Sequence, residues 1–310
     1  MAKKILVTPR SASAAGHPSL DKLEAAGYEV LFATPGRQPS EGELIEALPG
    51  CVGILAGVET ISAAVLRAAT DLKVISRNGT GTDAIDLEAA GRLGIRICRA
   101  EGANARGVAE LTVAAMFALA RSIPFSDQAI KAGQWQRRKG IELRGRTLGL
   151  IGCGKIGRLV AESALALDMD VVAHDPFPDA AFAPLDRFRL ASLEEVIELA
   201  DVLSLHCPPP AGGHPLLGTT ELAKMRRGVL LINTARAGLI DVDSLCAALE
   251  SGQVAGAAID VFETEPPSED DPLAGHDRVI ATPHIGAFTH ESVDRAMYAA
   301  VENLLECLIS

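Results

Sequence analysis

Short apolar runs alternate with longer stretches whose apolar residues recur at helical spacing, and this alternation repeats along the whole chain. Runs at 4–8, 29–32, 52–55, 73–76 and 96–98 predict strands. Residues 20–26, stopped by Gly27, and a stretch capped by Ser62 and reaching Ala69 predict helices. Ser40 with Glu43, and Ser192 with Glu195, have the spacing of capping boxes. In the second half, runs at 147–151, 169–174, 202–206, 229–233, 254–262 and 279–281 predict strands, with helices over 155–168 and from the cap Asp241 to about 250. Such alternation predicts parallel sheets covered by helices. Residues 105–121 read as a helix apolar on nearly all sides and ending before Pro124, which calls for burial between domains or against a second subunit. The amphipathic stretch 290–308 is expected to cross back onto the first domain.

One stretch, 147–175, is more than a generic strand and helix. Its strand meets Gly152, Gly154 and Gly157 at the spacing G-x-G-x-x-G, a helix follows, and a second strand ends in Asp175. Gly152 permits a tight turn, Gly154 lets backbone approach a pyrophosphate, and Gly157 lets helix pack on strand. The helix N-terminus presents N–H groups to phosphates. Asp175 lies 18 residues past the last glycine, where an acid accepts hydrogen bonds from the adenosine ribose and repels a 2′-phosphate. Pro176 and Phe177 follow it instead of an Arg, so the expected cofactor is NAD rather than NADP.

Composition narrows the setting. A length of 310 residues suits two domains, and 48% hydrophobic with 22% charged residues describes a soluble globular chain. The formal charge of −11 argues against nucleic acid or an anionic membrane as partner, so an anionic substrate would depend on local Arg or Lys. No apolar run is long enough to span a bilayer and no cleavage-like site follows the start, so a cytoplasmic location is expected. Six scattered cysteines without a C-x-x-C pair predict reduced, mostly buried thiols and no metal site.

Polar residues beyond the predicted strand ends carry the candidate chemistry. The loop 77–83, RNGTGTD, follows the strand ending at Ser76, where its glycines could offer N–H groups to a carboxylate. Trp135 and the basic group Arg137, Arg138 and Lys139 lie in a polar stretch that either is solvated or reaches an anionic substrate. Residues 207–213, CPPPAGG, form a rigid loop. Arg236, Glu265 and His284 each follow a different strand. Hydride transfer to a carbonyl needs an acid for the oxygen, a cation for the substrate carboxylate and a group that tunes the acid. His284 is the expected acid and base, Glu265 the anion that fixes its tautomer and favours the imidazolium, and Arg236 the planar cation that grips the carboxylate.

The segments RNGTGTD (77–83), GCGKIG (152–157), NTARAGLID (233–241), AAIDVFETEPP (257–267) and TPHIGA (282–287) resemble those of the D-isomer-specific 2-hydroxyacid dehydrogenases, and the order Arg, Glu, His is that family's catalytic order. The resemblance spans essentially the whole chain, and the segment 129–149 with the 77–83 loop looks closest to the D-3-phosphoglycerate dehydrogenase branch. It implies two Rossmann-like, doubly wound parallel-sheet domains around a cleft. Residues 1–101 with 288–310 would bind substrate, residues 102–287 would bind NAD, and chains would pair as a homodimer through the NAD domains.

The resemblance further implies that the loop containing Asn78, Gly79 and Thr80 binds the substrate carboxylate through backbone N–H groups, with Thr80 also near the cofactor. Lys155 and Ile156 would meet the pyrophosphate, Cys207 and Pro208 the cofactor across the crevice, and Thr234, Ala235 and Arg236 the nicotinamide side. Asp260 would bind the carboxamide, and Gly286 would pack beside His284. Where the phosphoglycerate branch often has an Arg, this chain reads Leu55-Ala56-Gly57, leaving Arg77, and Arg137 or Arg138 from a partner subunit, as phosphate ligands. The Asp-Asn pair familiar after that loop is Asp83-Ala84. The expected activity is NAD-dependent oxidation or reduction of a small anionic D-2-hydroxy or 2-oxo acid, with 3-phosphoglycerate the leading substrate. Hydroxypyruvate or glyoxylate reduction and sulfo- or phosphonolactate oxidation are alternatives, and an NAD(H)-sensing, corepressor-like scaffold is the rival of another class. Formate dehydrogenases place Gln where this chain has Glu265.

Overall fold

A computed structural model describes residues 3–179, 181–182, 186–210 and 212–309. Its chain divides into two compact units, passing from the first to the second after Asn104 and back after Thr289.

The first unit carries strands β1 (Lys3–Val7), β2 (Tyr28–Phe32), β3 (Cys51–Ala56), β4 (Val74–Arg77) and β5 (Arg96–Arg99), paired in parallel in the order β2-β1-β3-β4-β5. Helices α1 (Arg10–Ala15), α2 (Asp21–Ala25), α3 (Glu41–Ala47), α4 (Ala63–Ala68) and α5 (Leu87–Arg92) connect them. β3 is buried at all positions because its side chains alternate between two cores. Ile54 joins Leu44, Val65 and Leu66 on one face, and Leu55 joins Leu23, Val301 and Leu304 on the other. Full burial of each such side chain contributes about 1.5–3 kcal/mol. Val301 and Leu304 belong to the last helix, His290–Ile309, so the end of the chain completes this unit's second face.

The second unit holds β6 (Thr147–Ile151), β7 (Asp170–His174), β8 (Phe188–Leu190), β9 (Val202–Leu205), β10 (Val229–Asn233), β11 (Val254–Ile259) and β12 (Val279–Ala281). They pair in parallel in the order β12-β11-β10-β9-β6-β7-β8. The winding direction reverses between β6 and β9, which opens a crevice at their carboxyl ends. Helices are α6 (Ala105–Ala120), α7 (Ile123–Lys131), α8 (Lys155–Ala166), α9 (Leu193–Leu199), α10 (Thr219–Lys224) and α11 (Val242–Ser251). β10 shows how the sheet is covered on both sides. Leu230 and Ile232 pack with Met116 of α6 and Val160 of α8, while Val229 and Leu231 pack with Val196 of α9 and Leu245 of α11. The sequence predicts both capping boxes, and they form at Ser40–Glu43 and Ser192–Glu195.

Several expectations need correction. Pro124 does not merely end α6: it sits in the first turn of α7, where its missing N–H costs nothing. β11 stops at Ile259 and β9 at Leu205, because the polar residues that follow turn into loops. The helix expected over 20–26 is a 3-10 turn, Pro18–Leu20, followed by α2. Helix α6 is not sealed all round, since Phe117 is 39% exposed. Only Cys51 and Cys153 are buried; the other four cysteines are partly exposed. Ala211, inside the expected 207–213 loop, lies outside the described residues. Among the described residues, no single helix is long and apolar enough to cross a membrane.

Candidate active site

The glycine turn between β6 and α8 is built as its spacing demands. Gly152 has φ +96°, and a Cβ there would sit 2.4 Å from the His206 carbonyl oxygen. A Cβ on Gly157 would sit 2.2 Å from the carbonyl oxygen of Gly152, so turn and helix touch through bare backbone. Gly154 caps α8 without a side-chain hydrogen bond, which leaves the helix N-terminus facing the crevice. Lys155 and Gly154 are exposed and Ile156 half-buried at that mouth. Asp175 stands just past β7. Its Oδ2 accepts the Cys153 N–H at 2.7 Å and its Oδ1 the Phe177 N–H at 2.8 Å, which fixes the carboxylate while leaving lone pairs for a further donor.

Cys207 follows β9 against Gly152. Burial and the Asp175 charge push the thiols of Cys153 and Cys207 up to about 11, so both flank the turn as neutral groups. His206, between them and β9, is pushed down to about 4 by burial, and its Nε2 lies 2.9 Å from Ser204 Oγ. A bare-backbone turn, an uncapped helix start and an oriented carboxylate together fit a dinucleotide.

The three candidate reactive residues follow three neighbouring strands. His284 Nδ1 lies 2.9 and 2.8 Å from Glu265 Oε1 and Oε2, so the imidazole donates there and turns Nε2 outward. Glu265 Oε1 also accepts the Phe262 N–H at 3.2 Å. His284 has φ +52°, and the loop bearing it is gathered by Asp260, which is 2% exposed. Asp260 Oδ1 accepts the Thr282 hydroxyl at 2.6 Å and the Ile285 N–H at 2.8 Å, and Oδ2 accepts the Gly286 N–H at 2.9 Å. Asp260 thus brackets His284 on both sides, a use of this carboxylate that the expected carboxamide contact left out. Gly286 packs against Asp260, since a Cβ there would lie 3.1 Å from Oδ2.

Arg236 stands half-buried on the loop after β10. Asn233 holds that loop, and the Asp260 N–H donates to the Asn233 carbonyl at 3.0 Å, which ties the arginine loop to the segment gathering the histidine. Thr234 Oγ1 meets Thr112 Oγ1 of α6 at 3.2 Å. A small apolar cavity of about 160 Å³ lies beneath this edge, lined by Leu111, Ala115, Thr234, Asp260 and Thr282 among others.

In the first unit, Arg77 ends β4, and Asn78, Gly79 and Thr80 follow it at the carboxyl end of the sheet. Two of the expected donors are already used: Asn78 N–H donates to the Ala56 carbonyl and Gly79 N–H to the Arg77 carbonyl, each at 2.8 Å. Both N–H groups are thus bonded within the first unit. Among the described residues, Asn78 Oδ1 is a buried acceptor with no partner. Sequence reasoning missed Asn233, Thr112 and His206 as parts of the site. Asn233 stood at the start of a quoted motif, but its bonds are set by tertiary geometry.

Residues 113–286 match the family described as D-isomer specific 2-hydroxyacid dehydrogenase, NAD binding domain. Over 277 residues the chain is 40% identical to D-3-phosphoglycerate dehydrogenase of Archaeoglobus fulgidus, covering 88% of this chain and 52% of that protein. The chain therefore spans about half the length of the curated relatives it matches. Among solved structures, a Thermus thermophilus protein superposes with TM-score 0.88 at 38% identity, covering 99% of this chain and 97% of that one. A glyoxylate reductase from Paecilomyes thermophila superposes with TM-score 0.85 at 29% identity, covering 98% and 95%.

A doubly wound nucleotide fold with a glycine turn and a histidine–carboxylate pair at its strand ends defines a dinucleotide-dependent oxidoreductase class. Within it, the chain belongs to the D-isomer-specific 2-hydroxyacid dehydrogenases and carries that family's NAD-binding domain.

Proposed function

We propose that this chain interconverts a small anionic D-2-hydroxy acid and its 2-oxo acid, with NAD as the redox partner and 3-phosphoglycerate as the leading substrate. The observation that carries the reading is the His284–Glu265 contact at 2.8 Å, past the ends of β11 and β12, the two strands next in the sheet to the one leading to Arg236, in an NAD-binding fold. NAD, when bound, accepts or supplies the hydride. His284 Nε2 protonates the carbonyl oxygen during reduction and takes the proton back during oxidation. Glu265 holds the Nδ1 side of the ring and so fixes the orientation that presents Nε2 to the substrate. Arg236 grips the substrate carboxylate and polarises the neighbouring carbonyl. In the cofactor site, Asp175 receives the adenosine ribose. Gly152, Gly154, Lys155, Ile156 and Gly157 meet the pyrophosphate, while Thr80, Cys207, Pro208, Thr234, Ala235 and Gly286 complete the remaining contacts and Asp260 acts through the loop it gathers. Arg77, Asn78 and Gly79 serve the substrate.

The 3-phosphoglycerate assignment is supported by relatives at 40% identity named for that activity. Hydroxypyruvate or glyoxylate reduction is favoured by the segment Leu55-Ala56-Gly57, bonded to Asn78 through the Ala56 carbonyl, which has no phosphate-binding Arg, and by likeness to a protein named glyoxylate reductase. Oxidation of NADH by the purified chain with phosphohydroxypyruvate, hydroxypyruvate, glyoxylate and pyruvate decides between them. The phosphorylated acid is expected to have the highest kcat/KM, and silence with all four would overturn the enzyme reading. The same reading takes the chain to act in the cytoplasm as a homodimer paired through its NAD-binding domains. What supports the pairing is an open groove of about 820 Å³ in the second unit, between α6, α7 and residues 274–280, with Ile123 and Ile130 exposed nearby. Sedimentation of the purified chain tests it.

A further inference from the structure

Asn233 ends β10 and is 1% exposed, and a buried side-chain amide is costly unless both of its ends are bonded. Both are, and both bonds go to the loop that bears Arg236. Its Oδ1 accepts the Ala235 N–H at 3.1 Å, and its Nδ2 donates to the Arg236 carbonyl at 2.8 Å. The Arg236 carbonyl also takes the Leu239 N–H at 3.3 Å. The peptide joining Ala235 to Arg236 is therefore pinned on each side. The guanidinium refers to the same peptide, since Arg236 Nη1 donates to the Ala235 carbonyl at 2.7 Å. Arg236 itself is extended, φ −146° and ψ 141°, ahead of the short turn Ala237–Leu239 and without a side-chain cap, so regular structure does not fix where its side chain points.

We propose that Asn233 is a positioning residue that aims Arg236 at the substrate carboxylate. The proposal rests on the reading of Arg236 as the carboxylate-gripping cation. An acceptor and a donor on one short planar group are what the site requires. Asp would face the Arg236 carbonyl with a second acceptor, Ser could satisfy one end only, and Gln would add a methylene to a buried side chain.

The test is a cycle of Asn233→Asp, Asn233→Ser, Arg236→Gln and the double variants Asn233→Asp with Arg236→Gln and Asn233→Ser with Arg236→Gln, all in the full chain. Readouts are KM and kcat for hydroxypyruvate and the NADH Kd by fluorescence titration. Asn233→Asp is expected to lower kcat/KM by about 10- to 100-fold, mostly through KM, with NADH Kd within about twofold, because displacements of an ångström at a positioned group have costs of this order. On the Arg236→Gln background either Asn233 substitution should cost less than about twofold, because the group it aims is gone. If the buried charge of Asn233→Asp prevents folding, Asn233→Ser carries the same comparison with an expected loss of about tenfold. Equal losses with and without Arg236, or unchanged kinetics in both Asn233 variants, would overturn the proposal. An Arg236→Gln variant with undiminished kcat/KM would instead overturn the reading of Arg236 on which it rests.

Discussion

The substitution Asp260→Asn keeps the shape of the side chain and changes only its charge and one hydrogen-bonding role, so it isolates what this carboxylate does. The carbonyl of the introduced amide can still face the Thr282 hydroxyl and the Ile285 N–H, but its NH₂ must then meet the Gly286 N–H, donor against donor at 2.9 Å. One charge-assisted bond, typically about 1.5–3 kcal/mol, is lost outright and two others fall to neutral strength. Relief from burying an unpaired negative charge offsets part of this, leaving a net cost of about 3 kcal/mol. For a unit of this size that corresponds to a drop of roughly 6–12 °C in Tm. Because the broken bond flanks His284, whose φ of +52° depends on a fully bonded loop, kcat is expected to fall about 100-fold while NADH Kd changes less than about threefold. Scanning calorimetry, steady-state NADH oxidation and fluorescence titration provide the three numbers. A variant with full kcat, or one that loses NADH affinity as much as turnover, would refute the bracket in favour of a direct cofactor contact.

Three further outcomes are expected. His284→Ala should lower kcat at least ~100-fold and leave NADH Kd nearly unchanged, with Glu265→Gln between it and the parent; an equal loss of NADH affinity in titrations would mean these groups bind cofactor instead. Asp175→Ala should relax the preference for NADH over NADPH by about tenfold or more in kcat/KM, and an unaltered ratio would contradict the ribose contact. His206, held neutral by burial with its ionisation pushed down to about 4 against 6.5 when exposed, binds a proton in the unfolded chain first. Its contribution, up to about 3 kcal/mol, is present above pH 6.5 and fades as pH falls towards 4, so His206→Gln should flatten the acid side of a Tm-against-pH curve; parallel curves would sink the argument.

How much of this was legible in the chain follows from the range of the forces involved. The glycine turn, Asp175, the strands that end before Arg236 and His284, and both capping boxes are local patterns, and residues 147–175 display theirs within one β-α-β unit. Pro124 misled because the same ring that ends a helix also suits the first turn of the next. Short helices such as Arg10–Ala15, RSASAA, carry too little apolar periodicity to announce themselves. The bonds of Asn233 and Asp260 escaped for another reason. A buried polar side chain and an exposed one have the same spacing in sequence, and only the register of β10 beside β11 shows what each gathers.

The strand order β12-β11-β10-β9-β6-β7-β8 distributes responsibilities along one rim. Asp175, the proposed ribose contact, sits past β7, on one side of the reversal between β6 and β9, whereas Arg236, Glu265 and His284, the residues proposed to do the chemistry, sit past β10, β11 and β12, on the other. On the proposed roles, coenzyme preference and reaction chemistry are separately editable. A designer, or natural selection, can exchange one without disturbing the other, because the two sets of loops share a scaffold but no side chains.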